Sequence, residues 1–110
     1  MKNYIILYKV NDKAKKAMSE ITPEEQQESM KQWHEWRDNL GQHLVDFGSM
    51  YFGGKCLSSN GLSELETPDM GYSLIQAESI DQAINLASTH PHLKWHTGAS
   101  IDVREYFKMP

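Results

Sequence analysis

Cysteine is nearly absent from this chain of 110 residues: Cys56 stands alone. One cysteine cannot close an internal disulfide or build a thiolate metal cluster. Cys56 itself reads as a small, partly buried hydrophobe, with no base close in sequence to activate it. Positive charge is also scarce. Eleven Lys and Arg stand against fifteen Asp and Glu, so the net charge is −4 with His neutral. A nucleic-acid binder needs a basic face and an anionic membrane attracts one, so neither partner is expected. No apolar run approaches the ~20 residues of a membrane span. The run Tyr4 to Tyr8 is too short for a signal-peptide core, and no small-residue cleavage site follows it. The expectation is a soluble protein of a reducing compartment, most simply the cytoplasm. A phosphate-binding glycine loop, a serine nucleophile elbow and a dinucleotide fingerprint are all missing, and no cofactor is expected.

What remains is a composition suited to one globular domain over residues 1–110, with enough apolar residues for its own core. Tyr4-Ile5-Ile6-Leu7-Tyr8-Lys9-Val10 reads as a strand, apolar on both faces. A strand wet on one side alternates apolar with polar, so both faces of this one should be covered. Residues 11 to 21 are polar and lysine-rich and read as a loop with helical fragments. Thr22, Pro23 and Glu25 form a helix start: an N-cap, a proline at the first position and the far half of a capping box. At about 100° per residue Met30, Trp33, Trp36, Leu40 and Leu44 form one stripe. Arg37 falls inside that stripe and His34 flanks it. The helix should break near Gly41, with a last turn reaching Leu44 or Val45, and Gly48 should end the unit.

Ser49-Met50-Tyr51-Phe52 reads as a second strand. Asn60-Gly61, flanked by Cys56-Leu57 and Leu62, signals a small hairpin. Ser63 to Met70, with Pro68, reads as an exposed loop. Tyr72 to Ala77 forms a third main strand. Ser79 caps a second helix whose buried stripe is Ile80, Ala83, Ile84 and Ala87, and Pro91 stops it near His90. A turn region with Trp95 leads to a last strand running from Ile101 to Phe107.

The order strand, helix, strand, strand, helix, strand is the split βαβ plan of the α+β ferredoxin-like fold. Both right-handed crossovers put the helices on one face of an antiparallel sheet. The other face, apolar in the first strand, is then left open, and such a patch usually marks an interface. A homodimer that pairs two sheets is expected.

Several segments carry a resemblance. Met30-Lys31-Gln32-Trp33 to Leu44-Val45-Asp46-Phe47-Gly48, Gly71 to Ser79, Ala83, Ala87, His90-Pro91-His92-Leu93 and Ile101-Asp102-Val103 together resemble the YCII-related family, in the right order and over most of the chain from Tyr4 onward. The resemblance implies a ferredoxin-like fold assembled as a dimeric α/β barrel. It also implies an acid/base pair, a histidine on the first helix and an aspartate in the turn after it. Asp46 matches the aspartate. Ungapped spacing puts Arg37 at the histidine position, with His34 about one turn earlier. The Asp-Gly-Pro-Phe motif of a sister group is absent.

Asp46, His34 and Arg37 are therefore the catalytic candidates. An arginine in an apolar stripe must find partners. It can pair with Asp46, snorkel to water, or face a cleft and hold a substrate carboxylate or phosphate in bidentate fashion. Trp33, Trp36, Tyr72 and Trp95 are able to stack on a flat ligand, although such residues more often fill core or rim. His90 and His92 stand near the last strand and are ligand-binding candidates. With His96 they invite a metal reading, but Pro91 disrupts the geometry and no carboxylate stands at a ligand spacing, so no metal site is expected. Three functions compete. The first is an enzyme doing acid/base chemistry on a small polar or anionic substrate. The second is a non-catalytic metabolite-binding or accessory homodimer. The third, resting on fold analogy alone, is a cofactor-independent or haem-handling monooxygenase.

Overall fold

The computed structural model describes residues 1–66 and 69–110. In chain order its elements are β1 (Lys2–Val10), α1 (Asp12–Ser19), α2 (Pro23–Leu40), β2 (Leu44–Met50), β3 (Cys56–Ser58), β4 (Gly61–Ser63), β5 (Asp69–Ala77), α3 (Ile80–Ser88) and β6 (Ala99–Glu105). Short 3-10 turns at Gly41–His43 and Pro91–Leu93 follow α2 and α3. Four strands form an antiparallel sheet in the order β2-β5-β1-β6, while β3 and β4 form a separate hairpin. The chain is α+β, as its pattern implies. No helix among the described residues is long and apolar enough to cross a membrane.

Central strand β1 sets the layers. Tyr4, Ile6, Tyr8 and Val10 are buried in one core with Ala14 of α1, Trp33, Trp36 and Leu40 of α2, and Ala83 and Ala87 of α3. Ile5 and Leu7, of opposite parity, are only half-buried. Across the β1–β5 ladder they lie beside Leu74 and Tyr72. The helices thus cover one sheet face and leave the other to Ile5, Leu7 and Leu74.

Local signals place the helices. Thr22 Oγ1 accepts from Glu25 N at 3.1 Å, and Glu25 Oε1 accepts from Thr22 N at 3.4 Å, completing the expected capping box. Ser79 Oγ accepts from Gln82 N at 3.2 Å. The Trp36 indole N–H donates to Leu86 O at 3.1 Å, fixing α2 against α3. The hairpin expected at Asn60-Gly61 is present, with Gly61 at φ 111°.

Elsewhere the structure departs from the sequence reading. Residues 12–19 form a regular helix, capped by Asn11, whose Oδ1 accepts from Ala14 N at 2.9 Å. Ala14 is its one buried residue, so the apolar stripe that would announce a helix is missing. Helix α2 ends at Leu40, where Gly41 turns to φ 55°. Leu44, read as the end of the helical stripe, instead opens β2, and Gly48 lies inside that strand. Met30 is exposed. In α3, Ala83 and Ala87 face the core while Ile80 and Ile84 are exposed; small side chains let the helix approach the sheet closely. Strand β5 begins at Asp69, taking in Met70, and β6 stops at Glu105, leaving Phe107 exposed. Pro68, read as part of an exposed loop, lies outside the described residues.

Candidate functional site

A cavity of about 610 Å³ opens on the helix-covered side of the sheet. Tyr8 from β1, Met18 from α1, Met30 and Trp33 from α2, Gly48, Ser49 and Met50 from β2, Met70 and Tyr72 from β5, and His92 and Trp95 after α3 line it. The volume falls in the range of sites for small organic molecules, and an apolar wall with a few polar groups is what such sites share. Four methionines contribute unbranched, adaptable side chains.

The polar part of the wall is held by a relay across three strands. Ser73 Oγ donates to the carbonyl of Phe47 at 2.6 Å. A hydroxyl has one proton, so in the 2.6 Å contact between Tyr8 and Ser73 it is the phenol that donates. Ser73 is fully buried and Tyr8 is 1% exposed. Burial raises the phenol's pKa well above its usual value, the hydrogen bond to Ser73 opposing more weakly. The Tyr8 oxygen thus remains protonated with its proton committed, and it can offer a ligand only lone pairs.

The Asp46-Phe47-Gly48 segment supplies the acceptor of this relay. The β2–β5 register shifts between Leu44 and Asp46 and again between Asp46 and Ser49, marking a bulged strand. Asp46 Oδ1 accepts from Gly48 N at 2.8 Å, and Gly48 takes φ 90°. A Cβ on Gly48 would come within 1.8 Å of the Tyr72 carbonyl oxygen. Only glycine fits there, and the bend turns the Phe47 carbonyl toward Ser73.

Two buried histidines lie behind and beside the cavity. His92 Nε2 lies 2.9 Å from Lys9 O, a carbonyl that can only accept, so Nε2 carries the proton. Nδ1 then accepts from the Trp95 indole N–H at a long 3.4 Å. Burial lowers the His92 pKa, partly offset by backbone contacts with Lys9 and Ser100, so the ring is neutral. His90 Nδ1 accepts from His92 N at 2.9 Å. Its ring lies between Trp33, Trp36 and Tyr8, with centroids 4.4, 4.3 and 4.8 Å away. Burial, and secondarily His92, push its pKa down to about 3.

The sequence-derived candidates fall into two groups. Trp33 and His92 line the cavity, Tyr72 borders it from β5 while its strand position shares the open face with Leu7, and His90 supports it from behind. Arg37, His34 and Asp46 gather instead around Phe47, outside the cavity-lining set. Arg37 lies over the Phe47 ring at 5.3 Å and His34 at 5.9 Å. The Arg37–Asp46 pair considered from sequence is not made: Arg37 Nε donates to Asp38 at 3.0 Å, and Asp46 serves Gly48. Helix α2 ends before Asp46, and neighbouring Asp38 is the nearer carboxylate along the chain. Trp36 is a core residue. No group of three or more His, Cys, Asp or Glu suited to a metal occurs among the described residues.

Tyr8 and Ser73 were not singled out from sequence. The available signal was Ser73 itself, a hydroxyl sharing strand parity with buried Ile75 and Ala77. Compared with known proteins, the chain matches no family model and no curated relative.

Proposed function

We propose that the protein is a small-molecule-binding homodimer of YCII-related type, with its ligand in the helix-side cavity. The observation that carries the ligand reading is the cavity itself: about 610 Å³, chiefly apolar, and lined by Trp33 and Trp95 around the fixed polar groups of Tyr8 and His92. The strand order β2-β5-β1-β6 with helices on one face supports a ferredoxin-like plan. Half-buried Ile5, Leu7 and Leu74 on the opposite face support sheet-to-sheet pairing, as in a dimeric α/β barrel. Exposed, unpaired Cys56 is compatible with a reducing compartment such as the cytoplasm.

A catalytic version of this reading has one specific observation in its favour. His92 is neutral, is oriented by the Lys9 carbonyl and lies on the cavity wall. An oriented imidazole with an unprotonated nitrogen is the arrangement of a general base. In this version His92 Nδ1 accepts the proton, giving up its long 3.4 Å contact with the Trp95 indole, and Asp46 acts through the backbone it bends. The test is a melting-temperature screen over flat organic molecules, with each stabilising compound recovered and identified by mass spectrometry. Stabilisation with unchanged compound supports a binding protein. Conversion that is lost in His92→Gln supports acid/base chemistry. A screen in which no compound raises the melting temperature or perturbs the tryptophan fluorescence overturns the cavity reading.

A further inference from the structure

We infer that the cavity is built for a ligand with a flat apolar body that donates hydrogen bonds, an aromatic amine above all, with Glu25 as its counter-charge, and that it turns away carboxylates and phosphates. The inference rests on the cavity being the ligand site. Its basis is the direction of every committed proton on the wall. Tyr8 has given its proton to Ser73, which has given its own to Phe47 O. His92 has given its proton to Lys9 O. Neither Tyr8 nor His92 therefore has a proton left to donate to a ligand: Tyr8 keeps lone pairs to offer, and the one acceptor of His92, Nδ1, is met only by the long 3.4 Å contact from the Trp95 indole.

Charge points the same way. Among the described residues no lysine or arginine lines the cavity, and Glu25 is the one carboxylate that does. Glu25 sits in the first turn of α2, where an anion could otherwise find open N–H groups. Few of them are open: Pro23 has no N–H, Glu25 N donates to Thr22 Oγ1 at 3.1 Å, and Gln26 N donates to Thr22 O at 2.9 Å. Arg37, the residue that would hold an anion, is not a lining residue: its guanidinium pairs with Asp38 and lies over the ring of Phe47, which does line the cavity. The aromatic faces of Trp33 and Trp95 attract cations through their quadrupoles. An ammonium on an aromatic body meets acceptors, π faces and one negative charge. A carboxylate on the same body finds no cation among the described lining residues and meets Glu25 as a like charge.

The experiment uses three probes of one shape, naphthylmethylamine, naphthylmethanol and naphthoate, titrated calorimetrically into the full chain. The expected order of affinity is amine, then alcohol, then acid, with amine and acid about tenfold or more apart, since Glu25 acts on them with opposite sign. Glu25→Gln, which keeps the capping box, is expected to bring the amine level with the alcohol and leave the alcohol unchanged. An acid that binds as tightly as the amine overturns the inference while sparing the cavity reading, and so does an amine preference that survives Glu25→Gln. Binding of none of the three overturns both.

Discussion

Tyr8 hands its phenolic proton to Ser73 across 2.6 Å of buried space, because Ser73 has already given its own proton to Phe47 O. The relay stitches β1, β5 and β2 together just behind the cavity, and its two ends are unequal. Removing the Tyr8 hydroxyl leaves Ser73 still donating to Phe47. Removing the Ser73 hydroxyl orphans a buried phenol and a backbone carbonyl at once. Ser73→Ala is therefore expected to cost about 1–3 kcal/mol and Tyr8→Phe about 1 kcal/mol, since unsatisfied buried groups cost more than a lost bond. Urea unfolding of both variants checks the order. A Tyr8→Phe loss larger than that of Ser73→Ala would contradict the proton assignment.

The histidine pair makes stability depend on acidity. His92 N occupies His90 Nδ1, so the His90 proton sits on Nε2, which is buried with no hydrogen-bond partner among the described residues. Surrounding indole and phenol rings offer it only weak N–H···π contact. With its pKa pushed from 6.5 down to about 3, folded His90 stays neutral where unfolded His90 takes up a proton. The sign follows: its contribution is fully present above the unfolded pKa and is lost as pH falls from there toward the folded value. Going from about pH 6.5 to pH 5 is expected to remove up to about 2 kcal/mol through His90 alone. His92, shifted the same way by burial, adds to it. Urea midpoints across that window check this, and His90→Phe should flatten the slope. A wild-type midpoint that stays constant would rule it out.

Much of this frame was written locally. Thr22-Pro23-Glu25 and Ser79-Gln82 announce their helices through side chains that reach only three residues. The apolar run of β1 shows a strand whose two faces are both partly covered. Helix α1 escaped because its stripe reduces to Ala14 and its one clear signal was Asn11 as a cap. Strand β2 escaped because the bulge at Gly48 breaks the period of two and most of its residues are exposed. For the site, aromatic residues and His92 were visible as types. The Tyr8–Ser73 contact was not, since it joins residues 65 apart, and no local pattern encodes a pairing of that span. Arg37 misled for a related reason: helical periodicity puts it on the stripe, but at the stripe's edge an adjacent Asp38 and the Phe47 ring satisfy it.

Gly48 and Gly41 provide a controlled comparison. Both have positive φ, 90° and 55°. A Cβ at Gly41 meets nothing within 4 Å, whereas one at Gly48 collides with the Tyr72 carbonyl. Gly41→Ala should cost only the backbone strain, about 1–2 kcal/mol. Gly48→Ala must also move β2 away from β5, which opens the Phe47–Ser73–Tyr8 relay. It should cost clearly more than Gly41→Ala and weaken any cavity ligand. Unfolding midpoints and ligand titration on the two variants check this, and equal losses would show that β2 accommodates a side chain without moving.

The open sheet face separates assembly from folding. Leu7 is half-buried there, between Tyr72 on β5 and Asp102 on β6, while Tyr8 one position on fills the helix-side core. Because strand neighbours point to opposite faces, a charge at position 7 leaves the core packing alone. In the proposed homodimer Leu7→Glu would bring a carboxylate from each copy into an apolar seam, each already beside an Asp102. Burying an unpaired charge costs several kcal/mol, more than the roughly 1.5–3 kcal/mol that one leucine contributes by burial. The variant should remain folded by circular dichroism but elute as a monomer, where the wild type sediments as a dimer. Tyr8→Glu, by contrast, should fail to fold. A wild-type chain that is monomeric at high micromolar concentration, or a Leu7→Glu dimer of undiminished affinity, would remove the sheet face as the contact.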